Sequence, residues 1–257
     1  MAAGLDPAVA AAVAGRCAEL GYSSLWSNDH PGALGLETLA AFADAAPELE
    51  LGVAVMALDR HSPDEIAAHI DRLGLDRDRL WLGVGAGFSK RPLTRMSEAL
   101  PELRAALGGV RLVLAAMGPR MCRLAGSSFD GAFFNWMTPA FAASARLDVE
   151  AGASDVPRDP PPIFGYVRTA VGPDAAERLS KEESFYRDLH DGYRNHFARL
   201  GAPQGSVGVA AADADQVQAA LAAYGGLDVT VVRALASATA EAMIEVADAA
   251  APELLRR

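Results

Sequence analysis

Seven short apolar runs, each followed by a helical stretch, constrain this chain more than any other feature. They occupy residues 23–28, 49–58, 79–87, 110–117, 131–136, 162–171 and 227–235. The segment Leu-Gly-Val-Ala-Val-Met-Ala-Leu at 51–58 is apolar without interruption, as a parallel strand buried on both faces should be. Helix signals lie between the runs. Asp6-Pro7 opens a helix stopped by Gly21, Ser62-Pro63-Asp64-Glu65 supplies an N-cap and an acidic first turn, and Asp213 caps a helix ending at Gly225-Gly226. Repeated βα units over 257 residues favour a TIM-type α/β barrel over a doubly wound sheet. A closed barrel of this kind has eight strands. Here a helix comes before the first run, so the first strand is expected to be missing or truncated, leaving two unpaired strand edges. The expectation is one domain over 1–257, with the charged, aromatic segment 173–203 (Phe185, Tyr186, Tyr193, Phe197) as a helical lid.

A formal charge of −10 argues against a nucleic-acid partner. No run reaches the roughly 20 apolar residues that cross a bilayer, so no membrane association is expected. Asp6 and Pro7 interrupt the first fifteen residues, which lack a basic leader, and a cytoplasmic location is expected. Cys17 and Cys122 stand far from any CxxC and read as reduced, buried residues. No metal site is expected: His61 and His69 are eight apart, and His190 and His196 six apart, off one helical face.

In a barrel of this type the working face lies at the C-terminal ends of the strands. Met117-Gly118-Pro119 joins a strand to a helix there, and free N–H groups at a helix start can take a phosphate. Gly83-Val-Gly-Ala-Gly87 has GxGxG rather than GxGxxG spacing and is not a dinucleotide fingerprint, yet glycines at a strand end let a flat ring lie against the backbone. Asp29-His30 follows a strand directly, and a histidine there can bond a ring or move a proton. Asn135, Trp136, Arg168 and Arg233 end other strands; either arginine would serve a substrate carboxylate, a cofactor tail or a structural ion pair.

Together these pieces resemble the luciferase-like flavin- or deazaflavin-dependent oxidoreductases. The resemblance is carried by Asn28-Asp29-His30, by the 80–88 segment ending in Phe88, and by Ala115-Ala-Met-Gly-Pro119 with Leu124-Ala-Gly126 and Asp130-Gly131 downstream. It implies an enzyme that binds F420, with FMN as the alternative. The ring would lie on Ala54, Val55, Gly85, Ala86 and Gly87, and the phosphate at Ala116, Met117, Gly118 and Pro119. A non-prolyl cis peptide would fall at Ala54–Val55. His30, with Asp29, would be the catalytic pair. Phe88, Asn135, Trp136, Arg168 and Arg233 would face a small-molecule substrate. Phe88 stands where the alcohol-oxidising members carry a glutamate proton donor, which points to hydride transfer onto a C=C or C=N bond. An FMN-dependent monooxygenase and a degenerate barrel without turnover are the alternatives. The resemblance also implies a homodimer through the early helices.

Overall fold

A computed structural model describes residues 3–252. Helix α1 (Pro7–Glu19) leads to β1 (Ser24–Ser27), followed by α2 (Gly35–Ala45), β2 (Glu50–Ala57), α3 (Pro63–Arg72), β3 (Leu80–Gly85), α4 (Pro92–Ala106), β4 (Arg111–Ala115) and α5 (Pro119–Ser128). Then come β5 (Gly131–Asn135), α6 (Pro139–Ser154), β6 (Ile163–Val171), α7 (Ala175–Leu189), α8 (Asp191–Leu200), β7 (Val209–Ala211), α9 (Ala214–Ala222), β8 (Val229–Ala234) and α10 (Ala240–Ala249). Helices α1, α3, α4, α5 and α6 all begin on proline, which needs no N–H partner in the first turn and is preset to helical φ. The Asp6, Ser62 and Asp213 caps form as the sequence predicts, and Ser62 with Glu65 closes a full capping box.

All pairings are parallel, running from β1 through β6 in chain order, and β8 returns to pair with β6. The seven predicted runs become β1–β6 and β8. Strand β7 is an addition: its three residues lie along the last residues of β6, where Thr169 has Val209 on one side and Ala234 on the other. Three residues are too few to show a strand pattern, so no strand is predicted there.

The barrel is nearly closed. No pairing joins β1 to β8 among the described residues. The two strands instead face each other across a cavity of about 330 Å³, lined by Ser24, Leu25, Trp26, Thr230, Val232 and Met243. This slot lies between the two unpaired edges of the sheet, β1 and β8. One core lies between strands and helices. The second is the barrel interior, where Trp26, Trp81, Phe133, Phe164 and Tyr166 fill the lower barrel with ring centroids 4.7–5.1 Å apart for the touching pairs. The Tyr166 hydroxyl crosses the interior to donate to the Ser27 carbonyl at 2.7 Å, and burial pushes that phenol pKa up. Both cysteines are free and buried, and burial pushes their thiols up to about 12. No helix of the described residues is long and apolar enough to cross a membrane.

Candidate active site

Because strand side chains alternate, the interior rows are fixed by the aromatic plug. Above Trp81 on β3 come Gly83 and Gly85; above Phe133 on β5 comes Asn135; above Tyr166 on β6 comes Arg168; above Val231 on β8 comes Arg233. The two halves of the mouth therefore differ. One half is a wall of small groups: Ala54, Val55, Gly83, Gly85 and Ala115. A Cβ on Gly83 would stand 2.6 Å from the Val53 carbonyl, so only glycine lets β2 lean over β3 there. One on Gly85 would lie 3.3 Å from Val55 and 3.6 Å from Ala115. The peptide between Ala54 and Val55 is cis, at the position the resemblance implied, and the β2–β3 register shifts across it. Ala86 and Gly87 turn the chain outward, with Asp59 accepting from the Phe88 N–H at 2.9 Å.

Beside this wall, α5 starts at Gly118 with no side chain capping it. A Cβ on Gly118 would meet nothing within 4 Å, so the helix start is open to an approaching group. Arg199 of α8 reaches over to donate to the Met117 carbonyl at 3.1 Å, which sets an exposed guanidinium next to that opening. Nothing in the local sequence announces Arg199, because its role depends on α8 folding back across the mouth. His196, one turn earlier, is fully buried, and its Nε2 lies 2.5 Å from the Trp136 carbonyl. Burial depresses its pKa; the neutral ring donates from Nε2 and accepts from Arg199 at Nδ1. Trp136 is buried with φ +50°, a conformation large side chains rarely adopt, and its indole N–H has no hydrogen-bond partner among the described residues.

The arginine half of the mouth is dense. The Arg168 guanidinium lies 3.7 Å from the Trp136 ring centroid and donates to Asn135 Oδ1. Asn135 in turn donates to the Tyr193 hydroxyl at 3.5 Å. The Tyr186 ring lies tilted against that of Trp136 with centroids 5.1 Å apart, so α7 and α8 roof this half of the mouth. Segment 173–203 thus forms two helices, α7 and α8, over the strand ends. Phe88 is 61% exposed and meets the α7–α8 junction rather than the interior, with its ring centroid 4.8 Å from that of His190.

Asp29 and His30 sit at the same end of the barrel but do different work. The Asp29 side chain is 1% exposed, and its oxygens accept from the Gly35 N–H, from Arg60 and from His61. It pins the loop after β1 to the loop after β2. His30 is exposed; its Nδ1 accepts from the Gly32 N–H at 3.1 Å, leaving Nε2 unengaged among the described residues. No group of three His, Cys, Asp or Glu among those residues could hold a metal. Small apolar wall, open helix start and positive rim together suit a flat ligand bearing an anion better than a pair of acid–base carboxylates.

The fold is a parallel α/β barrel with its glycine-rich and arginine-bearing loops at one mouth. No family model matches the chain. It is 25% identical over 213 residues to a 5,10-methylenetetrahydromethanopterin reductase from Methanolobus tindarius, a match that spans 68% of this chain and 65% of that relative's length. Among solved structures, an F420-dependent secondary alcohol dehydrogenase in complex with an F420–acetone adduct superposes with TM-score 0.75 at 16% identity, covering 98% of this chain and 96% of the other. The coenzyme F420-dependent tetrahydromethanopterin reductase from Methanopyrus kandleri gives 0.73 at 15%, covering 96% and 95%. The FMN-bound oxygenating constituent of 3,6-diketocamphane monooxygenase from Pseudomonas putida gives 0.63 at 14%, covering 95% and 92%. What these likenesses share with the chain is the fold, a parallel α/β barrel.

Proposed function

We propose that the protein is a redox enzyme that uses reduced F420 to deliver a hydride to a C=C or C=N bond of a small organic substrate. The observation that carries this reading is the juxtaposition of the flat wall of Ala54, Val55, Gly83, Gly85 and Ala115 with the uncapped helix start at Gly118. A ring on the first and a phosphate at the second fit one elongated cofactor. The F420-dependent relatives support it. When bound, the deazaflavin ring supplies the hydride. The chain supplies the rest. Small side chains let the ring meet the backbone, and the Gly118 N–H with Arg199 holds the phosphate. His30 Nε2 bonds the ring edge, and Asp29 keeps its loop in place. Asn135 lies toward the substrate with Trp136 packed behind Arg168, Phe88 braces the outer side against His190, and the α7–α8 roof excludes water. A homodimer through the early helices and a cytoplasmic location belong to the same proposal.

The FMN-bound neighbour favours a second reading, an FMN-dependent monooxygenase, whose cofactor would use the same wall and helix start. Fluorescence titration separates the two. The expected result is micromolar binding of F420; micromolar binding of FMN alone overturns the F420 reading, and binding of neither overturns both.

A further inference from the structure

Arg168 and Arg233 are partners in register on parallel β6 and β8, so their side chains leave the sheet side by side on its interior face. Like charges in that relation repel, and low-dielectric surroundings screen them poorly. Arg168 is 3% exposed, and its nearest carboxylate is Glu182, at 4.0 Å from Nε. Nε itself has no hydrogen-bond partner among the described residues. Arg233, half-buried, forms no ion pair among the described residues and donates only to the Ala234 carbonyl at 3.3 Å. Arg178 adds a third cation at the same strand ends, donating to the carbonyls of Leu235 and Val171. Beside them the buried Trp136 N–H is a further unpartnered donor. Burial, reinforced by Arg233, holds the Arg168 pKa below the ordinary arginine value. A chain with ten excess negative charges has thus gathered positive charge and idle donors at one point of its barrel mouth.

We infer that this point is an oxyanion seat, and that the substrate of the proposed reaction is an organic acid whose carboxylate lies on Arg233 and Arg168. The planar forks of two guanidiniums match a carboxylate's paired oxygens. Trp136 and Asn135 hold Arg168 rigid, so the seat is formed before the ligand arrives. It stands across the mouth from the small-residue wall, which would place the reacting end of a short acid over the ring. The inference rests on the reading of this mouth as the reaction site. A phosphate-bearing cofactor could bring the same chemistry, so the test separates the two sources.

Benzoate and benzamide are titrated by calorimetry into cofactor-free wild type, Arg233→Gln and Arg168→Lys. Riboflavin and FMN are titrated into the first two. Wild type is expected to bind benzoate and not benzamide. Arg233→Gln should weaken benzoate about tenfold or more while melting no lower than wild type, because it removes one of two repelling charges. Arg168→Lys should retain part of the affinity. Equal binding of benzoate and benzamide overturns the seat, as does an Arg233→Gln protein that melts lower with benzoate affinity unchanged. Loss of FMN but not riboflavin binding in Arg233→Gln overturns the substrate assignment in favour of the cofactor phosphate. Benzoate binding needs no cofactor, so the outcome is independent of the F420 titration.

Discussion

His196 Nε2 lies 2.5 Å from the Trp136 carbonyl, so a histidine of α8 holds in place a tryptophan whose φ is +50°. Burial disfavours its charged form, and Arg199 nearby adds to that. The unfolded chain therefore takes up this proton first as pH falls. The neutral ring's contribution to stability is complete above the unfolded pKa of about 6.5 and is lost as pH falls towards the lower folded value. His196→Gln keeps a donor but does not titrate. Urea unfolding between about pH 7.5 and pH 5.5 should show the wild type losing up to about 1.4 kcal/mol per pH unit more than His196→Gln in that window. Parallel losses in the two proteins would exclude His196 as the cause.

Gly118 has φ −147° and ψ 157°, the backbone of an N-cap residue, with open space where a side chain would go. Gly118→Asp should cap α5 and raise stability by a few tenths of a kcal/mol. The same carboxylate would repel a phosphate at the helix start. Thermal melting should rise slightly while affinity for a phosphate-bearing cofactor falls at least tenfold, about 1.4 kcal/mol. Unchanged affinity would move the phosphate elsewhere.

Phe88 and His190 link the loop after β3 to the junction of α7 and α8. An exposed ring pair of this kind contributes about 0.5–1 kcal/mol. Phe88→Ala should leave global unfolding within about 1 kcal/mol of wild type, yet raise hydrogen exchange and proteolysis across 173–203. Protection unchanged in that segment would show that Phe88 does not hold α7 and α8 in place.

The tightest helix crossing is between α5 and α6. A Cβ on Gly126 would stand 1.9 Å from the Val149 carbonyl, and one on Gly152 would stand 2.1 Å from the Arg123 carbonyl. Both obstacles are backbone and cannot rotate away. Gly126→Ala should therefore cost about 3 kcal/mol or more in denaturant unfolding, at the upper end of overpacking changes.

The βα rhythm was legible because buried parallel strands need apolar residues on both faces and because each proline start or side-chain cap is a local event. The Met117-Gly118-Pro119 junction and the glycines of β3 could be seen for the same reason. Arg199 and His196 could not, since their work depends on where α8 comes to rest. Asp29 looked like a reactive group beside His30, and folding surrounded it with Gly35, Arg60 and His61, three donors from other parts of the chain. Strand β7 escaped notice because three residues carry no periodicity.

By itself the sequence determined which segments become strands and helices, and that their polar ends gather at one mouth, since alternation and capping act over a few residues. Tertiary structure alone decided that Arg168 and Arg233 stand in register inside the barrel, 65 residues apart in the chain. That neighbour relation comes from the pairing of β6 with β8, and the repulsion it creates exists only once the strands have met.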